Sequence, residues 1–358
     1  MTRRRPRYSG THPRSFEQKY KEHAPDEHPE HTEHLREKGK TPASTHVPAM
    51  LAEVLKHLAP KPGATVVDCT LGYGGHARAI LERITADGAS GRLIGLDVDG
   101  IELPKTIERL RATFGDSLHA HRMRYAGIAK ALRLEGLEQV DGILADLGVS
   151  SMQLDDPGRG FSVKNDGPLD LRMDDRLART GAQVVNTMKE AELASALREL
   201  ADEPDADAIA RVVVARRSVR PFVRTLDLVD AVFAAKHLTR TQWRASAAGR
   251  ARTIHPATLT FQALRMVVND ELGNLRALLR VAPLCLRPGG RLVVISFHSG
   301  EDRLVKEAFR SGLGAGVYAA IADEPLRPSG EELAANARAS PARLRFAVRA
   351  APADEPIA

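Results

Sequence analysis

Residues Thr65–His76, TVVDCTLGYGGH, constrain the fold of this chain more than any other stretch. β-Branched residues give way to a turn holding Gly72, Gly74 and Gly75, and then to Ala77-Arg78-Ala79-Ile80-Leu81. The pattern predicts a short buried strand, a glycine turn and a helix. Glycines let backbone approach a ligand closely, and the free N–H groups of a helix start attract polar or anionic groups. Such a corner binds nucleotides.

The corner alone leaves the nucleotide open. Gly72-x-Gly74-x-x-Ala77 also satisfies the dinucleotide fingerprint, with Asp97 about 20 residues farther on. Asp68, at the end of the strand, discriminates. A carboxylate there repels a pyrophosphate but attracts the sulfonium and amino group of S-adenosylmethionine. The plainer reading is that Asp68 only caps the turn through neighbouring backbone.

Farther along, Arg92–Asp97, Ser117–Arg122 and Val140–Leu147 read as strands two to four, with a helical pattern at Ile128, Leu132, Leu134 and Leu137 before the last. Strands alternating with helices imply a parallel sheet that binds ligands beyond its strand C-termini. Asp68, Asp97 and Asp146 each end a successive strand, which capping alone hardly explains. At Asp97 an acid can accept both hydroxyls of an adenosine ribose. Gly148–Asp174 is long, aperiodic and mixed in polarity, as functional loops are.

Residues Ala191–Leu200, Ala206–Arg217 and Asp227–Lys236 interrupt the alternation as a helical insertion, with Thr225 as an N-cap. Its cations Arg211, Arg216, Arg217, Arg220 and Arg224 suit nucleic acid or a solvated face, and charge runs are more often the latter. After His255-Pro256 the residues Phe261, Leu264, Val268, Leu272, Leu275 and Leu279 predict one long amphipathic helix, stopped by Arg287-Pro288-Gly289-Gly290. Arg291–Phe297 is the fifth strand, which places His298 on the ligand side, and Arg343–Arg349 alternates like a final edge strand. The expected organisation is an N-terminal extension over residues 1–40, a catalytic domain over 41–150 and 250–358, and a loop-plus-helix insertion over 151–249.

The 358 residues are 43% hydrophobic, ample for a core, and carry a net charge of +6 that suits a polyanionic partner. The extension has Arg3, Arg4, Arg5, Arg7 and Arg14 at its front and reads as a disordered basic arm. Cys69 and Cys285 make neither a disulfide framework nor a zinc quartet, and His28, His31 and His34 are interrupted by Pro29, so no metal site is expected. No apolar run approaches the roughly 18 residues of a membrane span, and a cytoplasmic setting is expected.

Together these residues resemble the bacterial ribosomal RNA small subunit methyltransferase H family, also called MraW. The likeness is carried by Asp68-x-Thr70-x-Gly72-x-Gly74-Gly75-His76, Asp146-Leu147-Gly148-Val149-Ser150-Ser151-x-Gln153-Leu154-Asp155, Arg159-Gly160-Phe161, Gly167-Pro168-Leu169-Asp170, His255-Pro256-Ala257-Thr258, Phe261-Gln262-Ala263-Leu264-Arg265 and Ser296-Phe297-His298-Ser299. The resemblance implies a class I S-adenosylmethionine-dependent methyltransferase, a Rossmann-like α/β doubly wound sheet with a helical insertion. It implies action on the exocyclic N4 of one cytidine in 16S rRNA of the small ribosomal subunit. The implied cofactor contacts are Gly74, Gly75, His76, Asp97, Tyr125 (often Phe in the family), Asp146 and Gln153. Departures from the family pattern are Gly100 for a proline, Gly300 for a leucine, Pro204 in a Gly-Glu-Glu opening, and a loose basic motif over Asn336–Arg345.

For the proton released on methylation, Asp146, Ser150, Ser151 and His298 are the possible acceptors by location. Phe161 suits stacking on an extruded base as well as a core position. A DNA N4-cytosine methyltransferase shares the chemistry, but a Pro-Pro-Tyr-type loop is absent after Asp146. A nicotinamide-dependent oxidoreductase and a non-catalytic RNA-binding assembly factor are the other readings.

Overall fold

Seven strands form one sheet in the order β3-β2-β1-β4-β5-β7-β6. They are β1 (Thr65–Asp68), β2 (Arg92–Asp97), β3 (Leu118–Arg122), β4 (Val140–Asp146), β5 (Leu286–Ser296), β6 (Tyr318–Ile321) and β7 (Arg343–Arg349). The first five pair in parallel, and β7 runs antiparallel to both of its neighbours. This computed structural model describes residues 48–247 and 254–351, so the basic extension over 1–40 lies outside the described residues.

The central strands read as continuous apolar runs because both of their faces are covered. Alternate residues serve opposite layers. Val67, Ile94, Ile143, Ala145 and Val294 pack on one side with α4 (Ile128–Leu134), α12 (Glu271–Cys285) and α13 (Ser299–Gly314). Val66, Leu93, Leu144, Val293 and Ile295 pack on the other with α1 (Leu51–Leu58), α2 (Gly75–Ile84) and α3 (Glu102–Phe114). In α2 the buried residues Ala77, Ile80, Leu81 and Ile84 share one face at helical spacing. Each such side chain contributes about 1.5–3 kcal/mol when fully buried. Cys69 and Cys285 are free thiols inside the first of these layers, pushed up in pKa by burial.

A third core belongs to the insertion. Following α5 (Ser151–Asp155), α6 (Gly181–Thr187), α7 (Glu190–Ala201), α8 (Ala206–Arg217), α9 (Thr225–Ala235) and α10 (Arg240–Ala247) come α11 (Thr258–Asn269) and then α12. Phe261, Ala263 and Leu264 of α11 pack with Leu193, Leu197, Ile209 and Val232 of the insertion.

Three expectations are corrected. The single long helix after residue 258 is two, broken at Asp270, whose φ of 50° is left-handed, so α11 faces the insertion and α12 the sheet. The last strand is interior: β7 lies between β5 and β6, and the edge is Tyr318–Ile321. Thr225 does not cap α9 but is its first residue, with its hydroxyl turned to the Asn165 carbonyl at 3.0 Å.

Candidate active site

The sheet order reverses between β1 and β4, and such a switch point opens a crevice at the strand C-termini. Asp68 ends β1 and Asp146 ends β4, so the two acids flank the crevice. Thr70 joins them. Its backbone N–H donates to Asp68 Oδ1 at 3.0 Å, and its hydroxyl oxygen accepts from the Asp146 N–H at 2.8 Å. The capping reading of Asp68 is therefore realised.

Asp68 is 1% exposed, and burial, aided by the charge of Asp97, raises its pKa to about 7. Burial and the neighbouring Asp68 and Glu301 push Asp146 well above the ordinary range. Asp146 Oδ1 is a buried oxygen with no hydrogen-bond partner among the described residues, and Oδ2 lies 3.7 Å from His76 Nδ1. His76 sits in the first turn of α2 with Nε2 held 2.9 Å from the Ala49 carbonyl. Burial lowers its pKa to about 4, so the ring is neutral, donates through Nε2 and turns its lone pair at Nδ1 toward Asp146.

The glycine turn takes its shape from close packing. Gly74 caps α2 at φ 73°, and a Cβ there would press on Leu110 and Thr106 of α3. Beside it, Gly75 rests on the Pro48 ring. Asp97 Oδ2 accepts the Gly72 N–H at 2.7 Å and Oδ1 that of Asp99 at 2.9 Å, which ties the second acid to the turn.

Asp99 holds the long loop. It is 2% exposed and accepts from Gln153 Nε2 at 2.7 Å and Arg159 Nη2 at 2.9 Å, besides the N–H of Ile101. Burial raises this carboxyl, but Arg159, Gln153 and Ile101 together outweigh it and leave the pKa lowered. Gln153 Oε1 in turn accepts the Ser150 N–H, while Ser150 Oγ accepts the Gln153 N–H, a reciprocal cap that starts α5. The Ser150 hydroxyl is thus committed to holding α5. Ser151 follows as the first residue of that helix, and its carbonyl accepts from Arg338 at 3.1 Å.

Behind Asp146 lies a second charged group. Arg265 forks onto Glu271 at 2.8 and 3.0 Å, and the Tyr125 hydroxyl donates to the Glu271 carbonyl at 3.3 Å. Burial pushes the Tyr125 phenol up and it stays neutral. His298 caps α13, accepting the Glu301 N–H at its Nδ1, and lies 3.3 Å from Glu301 Oε1 through Nε2. Burial raises Glu301, yet His298 and the Phe297 N–H more than offset it. Phe161 belongs to the insertion's core at 5% exposure, which settles its two readings in favour of packing.

The pattern of residues pointed to Asp68, Asp97 and Asp146 but missed Asp99, the Arg265–Glu271 pair and the role of Glu301. Asp99 stands two residues after Asp97 and Glu301 three after His298, so spacing from a suspected residue was the available signal.

Asp68, Asp97, Asp99, Asp146, Glu271 and Glu301 gather here, while the guanidiniums hydrogen-bonded to them are Arg159 and Arg265. With an excess of buried carboxylates and an unpartnered oxygen on Asp146, the donor set fits a cationic ligand. A Rossmann-like sheet ending in an antiparallel strand pair, with acids rather than phosphate-binding groups at its switch point, defines a class I S-adenosylmethionine-dependent methyltransferase. The chain belongs to the MraW methylase family, whose family model matches residues 43–350. It is 39% identical over 354 residues to ribosomal RNA small subunit methyltransferase H 1 of Lachnoclostridium phytofermentans, covering 97% of this chain and 93% of that one. It is 43% identical over 318 residues to ribosomal RNA small subunit methyltransferase H of Carboxydothermus hydrogenoformans, covering 85% and 97%. A solved rRNA methylase from Streptococcus thermophilus aligns at 12% identity with a TM-score of 0.34, over 84% of this chain and 92% of that one.

Proposed function

We propose that the protein methylates the exocyclic N4 of one cytidine in 16S rRNA of the small ribosomal subunit, with S-adenosylmethionine as donor. The observation that supports the reading is the Asp68–Thr70–Asp146 arrangement at the switch point, two linked carboxyl groups suited to a sulfonium and an amino group. S-Adenosylmethionine supplies an activated methyl group on a positively charged sulfur. The residues proposed to hold it are Gly74, Gly75, His76, Asp97, Tyr125, Asp146 and Gln153.

The chain's own contribution is placement and proton handling. Holding the amine in line with the methyl is worth on the order of 7–11 kcal/mol. Among the four proton acceptors, Asp146 Oδ1 and His298 Nε2 are buried atoms without a hydrogen-bond partner among the described residues, whereas Ser150 Oγ and His298 Nδ1 already accept backbone N–H groups; of the two, Asp146 ends β4 at the switch point. With a cationic donor bound beside it, Asp146 would be held in its charged form, and its burial would suit it to take up the N4 proton. His76 Nδ1 then lies within one short movement of the protonated carboxyl.

Mass-spectrometric mapping of small-subunit rRNA tests the reading. Deleting the gene should remove one N4-methylcytidine, wild-type protein should restore it and Asp146→Ala should not. An unaltered set of modifications in the deletion strain would refute it.

A further inference from the structure

The turn between α8 and α9 presents cations and apolar side chains together. Arg216 and Arg220 are exposed and their guanidiniums make no hydrogen bond or ion pair among the described residues, whereas Arg217 is spent on the Val185 and Met188 carbonyls and Arg224 on Asp166. Val219 is 87% exposed and Val223 52%. Phe222 is 3% exposed between them, and its backbone exchanges two hydrogen bonds with the Asn186 side chain, at 2.8 and 2.9 Å. The turn is therefore rigid, with its apolar projections held outward by an anchored neighbour.

It is also wired to the active site. The Leu169 N–H donates to the Val223 carbonyl, Thr225 N–H to Gly167, and Gly167 N–H to the Thr225 hydroxyl, with a β-bridge between Pro168 and Arg224. From there the Leu171 N–H reaches the Arg159 carbonyl, and Arg159 reaches Asp99, two residues beyond Asp97. A continuous run of hydrogen bonds thus links the turn to the cofactor's side of the crevice.

The geometry points to this turn as a docking edge for the RNA substrate, with Arg216 and Arg220 on phosphates and Val219 and Val223 against ribose or base faces. The inference rests on the reading of the protein as an rRNA methyltransferase. Unpaired guanidiniums suit a polyanion, and a fixed turn joined to the catalytic loop holds the strand at a set distance from Asp146. A solvated cationic face would need neither the exposed valines nor the ties to Gly167 and Leu169.

The test compares wild type with Arg216→Glu/Arg220→Glu and Val219→Asp, on assembled small subunits and on naked 16S rRNA, with S-adenosylmethionine binding measured by calorimetry. Docking predicts a KM for RNA raised roughly tenfold or more by the double variant. It also predicts a log-affinity against log-salt slope shallower by about two, since each phosphate contact contributes roughly one. The donor affinity and kcat should be unchanged, and Arg216→Lys/Arg220→Lys should restore binding. Unchanged KM and slope would overturn the inference, as would a defect confined to assembled subunits, which would mark a protein partner. If wild type methylates no rRNA yet binds it with a slope that the double variant flattens, the proposed reaction fails and the docking edge stands.

Discussion

The Gln153 amide donates at 2.7 Å to the buried carboxylate of Asp99, which also holds Arg159 at 2.9 Å. One acid thereby fastens Gln153 and Arg159 near the start of the 148–174 loop, while Asp97, two residues earlier, faces the glycine turn. Their jobs should separate on mutation. Asp99→Ala is expected to speed amide exchange across 148–174 and to raise the KM for RNA. Asp97→Ala is expected to weaken S-adenosylmethionine binding about 10- to 100-fold, as for loss of charged hydrogen bonds worth about 1.5–3 kcal/mol. Exchange mass spectrometry and calorimetry on the two variants check this; equal effects on donor binding would contradict it.

Asp68 makes donor binding depend on pH. Its folded pKa is raised to about 7, chiefly by burial, so below pH 7 the carboxyl holds a proton that a cationic ligand must expel. Affinity should therefore rise with pH through the window below about 7 and level off above it, roughly tenfold weaker at pH 6 than on the plateau. Asp146, also raised, adds in the same direction. Calorimetry in buffers of different ionisation enthalpy should show proton release on binding at pH 6, and Asp68→Asn should diminish it. S-Adenosylhomocysteine, which lacks the sulfonium, should show a smaller pH dependence.

Sequence alone located β1, β2 and β4 because buried parallel strands are written as apolar runs, each ending in an acid that marks the rim, and β3, Leu118-His119-Ala120-His121-Arg122, by its place in the alternation with helices. It could not give the strand order at the far edge, since β6 is four residues with half its side chains exposed and carries little pattern. The apolar spacing from Phe261 to Leu279 runs through Asp270 without a break, because both helices bury the same periodicity against different partners. In the site, the acids at strand ends were legible from position. Asp99 was not, because its importance comes from residues 54 and 60 positions away that converge on it.

Gly167 has no room for a side chain: a Cβ would run into the Pro157 carbonyl, and the residue's own N–H and carbonyl are both held by Thr225. Gly167→Ala should displace the 148–174 loop by a fraction of an ångström to an ångström without touching the glycine turn. Misplacement on that scale costs about 100-fold in rate. The expected outcome is a fall in kcat for rRNA with near-normal S-adenosylmethionine affinity and a lowered unfolding midpoint, since overpacking costs about 1–3 kcal/mol; a loss of donor binding instead would show that the loop and the glycine turn are not separable.

Arg265 and Glu271 join the end of α11 to the start of α12 across the break at Asp270, at 2.8 and 3.0 Å in a nearly closed environment. Burial pushes Glu271 up in pKa, and Arg265 pulls it back toward the charged form. Removing only the guanidinium leaves that charge stranded, and Arg265→Ala should cost about 3–5 kcal/mol of stability. Replacing both partners, as Arg265→Met/Glu271→Leu, should recover most of it, since a well-packed apolar pair avoids the desolvation that the ion pair must repay. Urea unfolding of the single and double variants measures the difference. A single variant as stable as wild type would mean that the pair serves the site rather than the fold, and the Tyr125 hydroxyl, which the Glu271 carbonyl positions, would then be the place to look for its effect.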